Sequence, residues 1–288
     1  MRESGVQCLT SGQLHHMAYT EWGDPANPRV LLCVHGLTRN GRDFDELARA
    51  LSRDYRVICP DVAGRGQSDW LANKNDYAVQ VYVQHMLILL ARLDVAQVDW
   101  LGTSMGGLIG MGLAALPDTP IRRLILNDVG PVLSAPALSR IGEYVGRAPL
   151  FASVEAAEQY LREVGPGFGK LSDDQWRALT VSGLRRDADG WRMRYDPAIG
   201  EVMRASPLKT DMLLWPMYDA IRAPTLVLRG VDSDLLTHTT AEAMSQRGPR
   251  AHIVEIAETG HAPMLMCAGQ IEIVRNFLLE APESSDPV

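Results

Sequence analysis

Nothing in this 288-residue chain is apolar for long enough to cross a bilayer. The longest apolar stretches are Val79–Leu93 and Met105–Leu116, both short of the ~20 residues a spanning helix needs, and Gln80, Gln84, His85 and Arg92 interrupt the first. Cysteine is scarce. Cys8, Cys33, Cys59 and Cys267 form no C-x-x-C pair, which removes the usual signature of a zinc or redox dithiol site. Two of them fall in expected core strands and read as reduced, packed thiols, so no metal is expected. There is no run of Lys or Arg, and the formal charge is −7, which argues against a phosphate-tracking groove and a nucleic-acid partner. Residues Met1 to Gly12 lack the basic start and apolar centre of a signal peptide. These absences describe a cytoplasmic protein with a small-molecule partner, no membrane association and no cofactor. Monomer and homodimer both remain open. No internal repeat or low-complexity segment is present.

Short apolar runs alternate with helical patterns, which predicts a mostly parallel, twisted α/β sheet with helices on both faces. Val30–Val34, Tyr55–Cys59, Val98–Leu101, Ile121–Asn127, Pro224–Arg229 and Ala251–Ile256 are the expected strands. Val79, Val83, Met86, Leu87, Leu90 and Leu93 form the stripe of an amphipathic helix, which reads as a surface helix, and Ile271–Leu279 is a closing helix. Residues 281–288 read as a polar, frayed tail. Between 130 and 218 the alternation breaks: helical patterns at Val154–Val164 and Asp173–Thr180 are interrupted by Gly165-Pro166-Gly167 and Asp196-Pro197. The expectation is a core of 1–129 and 219–288 with a helical cap of 130–218 over the strand ends; the plainer alternative is ordinary helices of the main layer.

Gly102-Thr103-Ser104-Met105-Gly106 joins a strand pattern to an apolar helix pattern. A serine between small residues on a sharp strand-to-helix turn is the nucleophile elbow of α/β-hydrolases. Its glycines suit a strained turn where helix and strand cross closely. A hydroxyl becomes a useful nucleophile only when a base takes its proton and a third group orients that base. Of the seven histidines, His261 alone follows a late strand, in the turn Glu258-Thr259-Gly260-His261. His15 and His16 precede the first strong strand, His85 lies in a helix, and His35 reads as a prop for its own loop. For the acid, Asp234 and Asp232 compete in the turn after Pro224–Arg229, and Asp128, just past Ile121–Asn127, is third. Backbone N–H groups of Leu37 and Met105 are the expected oxyanion donors. Gly36, Met212 and Trp215, with Met217, are candidate substrate contacts. Asp61 to Ser68 lacks the third glycine and acidic partner of a dinucleotide loop, so Gly64 and Gly66 read as shaping a turn.

Taken in order, His35-Gly36, Asp61-x-x-Gly64-x-Gly66-x-Ser68, Gly102-Thr103-Ser104-Met105-Gly106-Gly107, Gly230-x-x-Ser233-Asp234 and Gly260-His261 resemble the α/β-hydrolase superfamily from about Tyr19 to Leu279. The chain is similar to small bacterial serine hydrolases that act as esterases, lactonases or carbon–carbon hydrolases. The resemblance implies a cap inserted after the sixth strand and favours Asp234 as the acid, although the extra Asp232 departs from the pattern. A serine nucleophile sets it apart from dehalogenase and epoxide-hydrolase relatives. The implied activity is hydrolysis of a short-to-medium acyl or hydroxyacyl ester through an acyl-enzyme. Carbon–carbon cleavage, perhydrolase or haloperoxidase-like chemistry, and a non-catalytic receptor are the alternatives.

Overall fold

The computed structural model describes residues 1–205 and 209–280. The expected tail over 281–288 lies outside the described residues. In chain order the first half comprises β1 (Arg2–Thr10), β2 (Gln13–Trp22), β3 (Val30–Val34), α1 (Asp45–Leu51), β4 (Arg56–Pro60), α2 (Val79–Leu93), β5 (Val98–Thr103), α3 (Met105–Ala114) and β6 (Ile121–Asn127). After the sixth strand come β7 (Val132–Leu133), α4 (Ala135–Tyr144), α5 (Val154–Val164), α6 (Asp173–Ser182), β8 (Leu184–Asp187), β9 (Gly190–Met193), α7 (Ala198–Ala205), β10 (Met212–Leu213) and α8 (Trp215–Asp219). The chain then returns through β11 (Thr225–Gly230), α9 (His238–Gln246), β12 (His252–Ile256) and α10 (Ala268–Leu279).

One eight-stranded sheet runs in the order β1-β2-β4-β3-β5-β6-β11-β12. The pairs β1–β2 and β2–β4 are antiparallel, and the remaining ladder is parallel. Strand alternation sends successive side chains to opposite faces. Leu31 and Cys33 of β3 therefore join α1 and α10 residues such as Leu47 and Leu278 in one core, whereas Leu32 and Val34 join Met86 of α2 and Ile109 of α3 in the other. Both faces are covered, which is why the parallel strands read as unbroken apolar runs. Burying each such leucine or isoleucine contributes about 1.5–3 kcal/mol.

The amino-terminal hairpin β1–β2 was not expected from the sequence. Most of β1 is exposed or half-buried and only its Cys8 is fully buried, so its apolar alternation is weak. His85 is also not on a surface: it is buried on the core face of α2 with Met86 and Leu89. The segment after β6 is not purely helical either. Short β7 and β10 pair with each other, and β8–β9 form a hairpin closed by the two residues Ala188-Asp189. Three of its helices, α4, α5 and α6, start at serines: Ser134, Ser153 and Ser172 accept backbone N–H groups of Ala137, Ala156 and Gln175, each cap contributing about 1 kcal/mol.

The central crossing of α3 over the sheet leaves no room for side chains at two positions. A Cβ on Gly102 would lie 2.2 Å from the Gly106 backbone, and one on Gly106 would lie 2.0 Å from the Val34 carbonyl oxygen. Gly102→Ala and Gly106→Ala should each lower unfolding free energy by about 3 kcal/mol in urea titrations, because the obstacle is backbone and not a movable side chain. Gly142→Ala, in α4 with nothing within 4 Å of the added methyl, should raise it by about 0.5–1 kcal/mol.

Candidate active site

Ser104 is the turn between β5 and α3, with φ 52° and ψ −115°. That backbone is unusual for a residue with a side chain, and the surrounding packing maintains it. The Ser104 N–H donates to Asn127 O at 3.0 Å, tying the turn to the end of β6. Asn127 is itself anchored: its side-chain amide donates to Thr103 Oγ1 at 2.9 Å and to Pro263 O at 2.8 Å. The second contact binds the loop that carries His261.

Ser104 Oγ and His261 Nε2 are 2.9 Å apart, and His261 Nδ1 lies 2.8 Å from Asp128 Oδ2. A carboxylate can only accept, so Nδ1 carries the proton and Nε2 presents a lone pair to the serine hydroxyl. Asp128 is fully buried and also accepts from the Gly230 N–H at 2.8 Å and from the Ser233 hydroxyl at 2.6 Å. The parallel neighbours β6 and β11 end side by side, so a residue just past β6 meets the first residues past β11.

The structure brings Asp128, the third-ranked candidate, to His261 Nδ1, and neither Asp234 nor Asp232. Asp234 sits on the surface with Arg140 of α4, whose Nε and Nη2 donate at 2.7 and 2.9 Å. Burial opposes its ionisation, but the Arg140 pair prevails and holds its carboxyl below the ordinary value. Asp232 is exposed, with its backbone N–H on Thr259 O. In Gly230-x-x-Ser233-Asp234, glycine and serine reach the buried carboxylate, and the final aspartate pairs with Arg140 on the lining of the cavity.

Leu37 and Met105 both line the cavity beside Ser104. Met105 is the first residue of α3, where N–H groups have no intrahelical acceptor. Gly36 brings the loop after β3 close enough that a Cβ there would lie 3.7 Å from Ser104 Cβ. His35 holds that loop from behind, its Nδ1–H donating to Gly36 O at 2.7 Å while Nε2 accepts from Val62 N–H at 3.0 Å. The Asp61 carboxylate closes the next turn by accepting from Gly41 and Gln67 N–H groups, and Gly66, at φ 55°, leaves space for it.

Arg65 was not singled out from the sequence. Its guanidinium is fully buried and donates to Leu37 O (2.8 Å), Ala63 O (2.8 Å) and Tyr82 OH (2.7 Å), with Met105 Sδ at 3.5 Å. No carboxylate pairs with it among the described residues. It touches the residues on both sides of the expected oxyanion position. Only a fold that brings the turn after β4 under the turn after β3 reveals this.

The cavity above Ser104 measures about 740 Å³, within the ~300–1,000 Å³ usual for small-molecule sites. Its floor is Ser104, His261 and the Gly36–Thr38 loop. Its walls are largely apolar and come from the segment after β6, with Leu138, Ile141, Tyr160, Leu161, Phe168 and Met203 among them. Three expected contacts lie elsewhere. Met212 is exposed in β10 opposite Leu133, Trp215 packs edge-on to Tyr218 beneath Arg247, and Met217 packs half-buried against the core, so none lines the cavity.

Asp128→Asn should lower kcat for an activated ester by roughly 10⁴-fold, because the amide favours the wrong imidazole tautomer. Asp234→Asn and Asp232→Asn should each change it less than about threefold. Burial pushes the His35 pKa down from 6.5 to about 3, against the smaller opposing effect of the Gly36 carbonyl. The folded protein therefore refuses a proton that the unfolded chain takes up, and this contribution to stability is lost as pH falls from 6.5 towards 3. His35→Gln should flatten the fall of the urea midpoint across that range without abolishing it, since burial also lowers His15 and His85.

Comparison with known proteins agrees with this geometry. Residues 29–265 match the family model for the alpha/beta hydrolase fold. The chain is 50% identical over 284 residues to a 3-hydroxybutyrate-oligomer hydrolase of Cupriavidus necator, covering 96% of this chain and 97% of that one. A putative hydrolase from Rickettsia typhi superposes with a TM-score of 0.91 at 32% identity, covering 98% of this chain and all (100%) of the other. An alpha/beta hydrolase from Novosphingobium aromaticivorans gives 0.84 at 35% identity, with 96% and 98% covered. With the family model matching most of its length, this chain belongs to the α/β-hydrolase family.

Proposed function

We propose that the protein is a serine hydrolase that cleaves 3-hydroxyacyl oligoesters of the 3-hydroxybutyrate kind through an acyl-enzyme. The observation that carries this reading is the unbroken chain Ser104–His261–Asp128, at 2.9 and 2.8 Å, opening into a large apolar cavity. The named activity of the Cupriavidus necator relative supports the substrate class. Cavity size points the same way, since several short hydroxyacyl units fit where one small acyl group would leave the walls unfilled.

Ser104 Oγ attacks an ester carbonyl carbon while His261 Nε2 takes its proton, and buried Asp128 stabilises the imidazolium. The carbonyl oxygen becomes an oxyanion between the Leu37 and Met105 N–H groups, the largest electrostatic contribution in such sites. Arg65, hydrogen-bonded to the Leu37 carbonyl, fixes that loop and adds positive potential from below. Collapse of the intermediate expels the alcohol, which takes its proton from His261. Water then attacks the acyl-serine by the same route and releases the acid. In this reading residues 130–218 act as a lid whose apolar side chains hold the methyl-bearing chain. Buried free thiols at Cys8, Cys33 and Cys59 suit a reducing, cytoplasmic setting.

A fluorophosphonate probe should label the wild type and leave Ser104→Ala unlabelled. The same variant should lose at least about 10⁴-fold in turnover of p-nitrophenyl butyrate. Chromatography of 3-hydroxybutyrate dimer and trimer digests should show monomer release by the wild type. Labelling without oligomer cleavage would retain the nucleophile and reject the substrate.

A further inference from the structure

Away from the catalytic cavity, three residues from three elements converge on one buried point. Cys8 of β1 stands directly opposite His15 of β2 in the antiparallel register, and His85 reaches them from α2. Exposures are 0%, 6% and 0% respectively. His15 Nε2 and His85 Nε2 are 3.2 Å apart, and Thr10 Oγ1 lies 3.0 and 2.8 Å from them. The Cys8 sulfur completes the group, all three ligating atoms lying within 4.8 Å of one another. Both Nδ1 atoms are buried without a partner, so each ring is committed only at its Nε2 edge. Two buried imidazoles are costly unless their polar edges are compensated. None of the three lines the catalytic cavity.

We propose that Cys8, His15 and His85 form a binding site for one divalent transition-metal ion of the zinc class, which fastens the β1–β2 hairpin to α2. The spacing suits the ion. Two nitrogens held about 2.0–2.1 Å from zinc at the tetrahedral angle lie about 3.3 Å apart, against 3.2 Å here. Nitrogen and thiolate donors select zinc or cobalt over magnesium and calcium. The fourth position falls to the Thr10 hydroxyl or a water. An entry route exists: a polar cavity of about 260 Å³ opens beside Thr10 and His15, and Asp69 and Asp76 on its wall attract a cation. Ligation requires the Cys8 thiolate, so binding releases its proton to solvent and affinity falls as pH is lowered. Sequence spacing hides this site, because strand pairing and not a C-x-x-C motif brings the ligands together.

The test is to strip the full chain with a chelator, then titrate it with zinc or cobalt(II) against a chromophoric competitor. We expect one equivalent bound per chain, a higher Tm with zinc, and a thiolate-to-cobalt charge-transfer band. His85→Gln and His15→Gln should each weaken binding roughly 100-fold. Cys8→Ser should abolish the charge-transfer band. His16→Gln, on the opposite side of β2, should leave affinity unchanged. Far-UV circular dichroism establishes that each variant is folded, and the cobalt spectrum of the wild type decides the matter if one is not. Absence of stoichiometric uptake by the wild type, a cobalt spectrum without thiolate character, or uptake that survives His85→Gln in folded protein would overturn the proposal.

Discussion

The close seating of α3 on the sheet governs nearly everything else in this molecule. Gly106 presses against the Val34 carbonyl and Gly102 against the first turn of the helix, so strand, turn and helix have only one way to cross. That crossing forces Ser104 into its left-handed backbone and lifts its hydroxyl clear of the sheet. It also sets the first N–H of α3 beside the loop after β3, where Gly36 approaches the serine. The placing of the Ser104 hydroxyl and of the helix N-terminus beside it thus follows from one packing contact. The fully buried Trp100 reinforces it, its indole N–H donating to Gly106 O at 3.0 Å.

A second consequence of parallel topology is that several strands end at one edge. Asp128, Gly230 and His261 follow β6, β11 and β12, which are neighbours in the sheet, and Ser104 follows β5 beside them. Four short loops therefore share a small volume although 157 positions separate Ser104 from His261. Asp128 meets its partners in a dry setting, where three donors compensate the cost of burying its charge.

The degree to which this could be read in advance follows the physics of each part. The parallel strands were legible because burial on both faces turns them into continuous apolar runs, as in Val30–Val34 and Ile121–Asn127. Ser104 and His261 were legible because local turn chemistry marks them with glycine. Asp128 was less so, since its identity as the partner of His261 depends on which strands are adjacent. The loop after β11 offered two aspartates at the right chain position, yet what that loop supplies is the Gly230 N–H and the Ser233 hydroxyl. Arg65 and the true cavity walls escaped for the same reason: an apolar or charged residue does not announce which way it faces. The amino-terminal hairpin escaped because an edge strand with one buried residue carries little pattern.

The origin of the cavity's surfaces separates two kinds of change open to the protein. Reactive groups belong to the sheet edge and are bound to one another by short hydrogen bonds, whereas most of the apolar wall belongs to the segment between β6 and β11. A swap such as Leu138 or Phe168 for a bulkier or smaller neighbour reshapes the volume offered to a ligand without disturbing the chain from serine to carboxylate. Selectivity can consequently drift among descendants of this protein while the bond-breaking apparatus stays put.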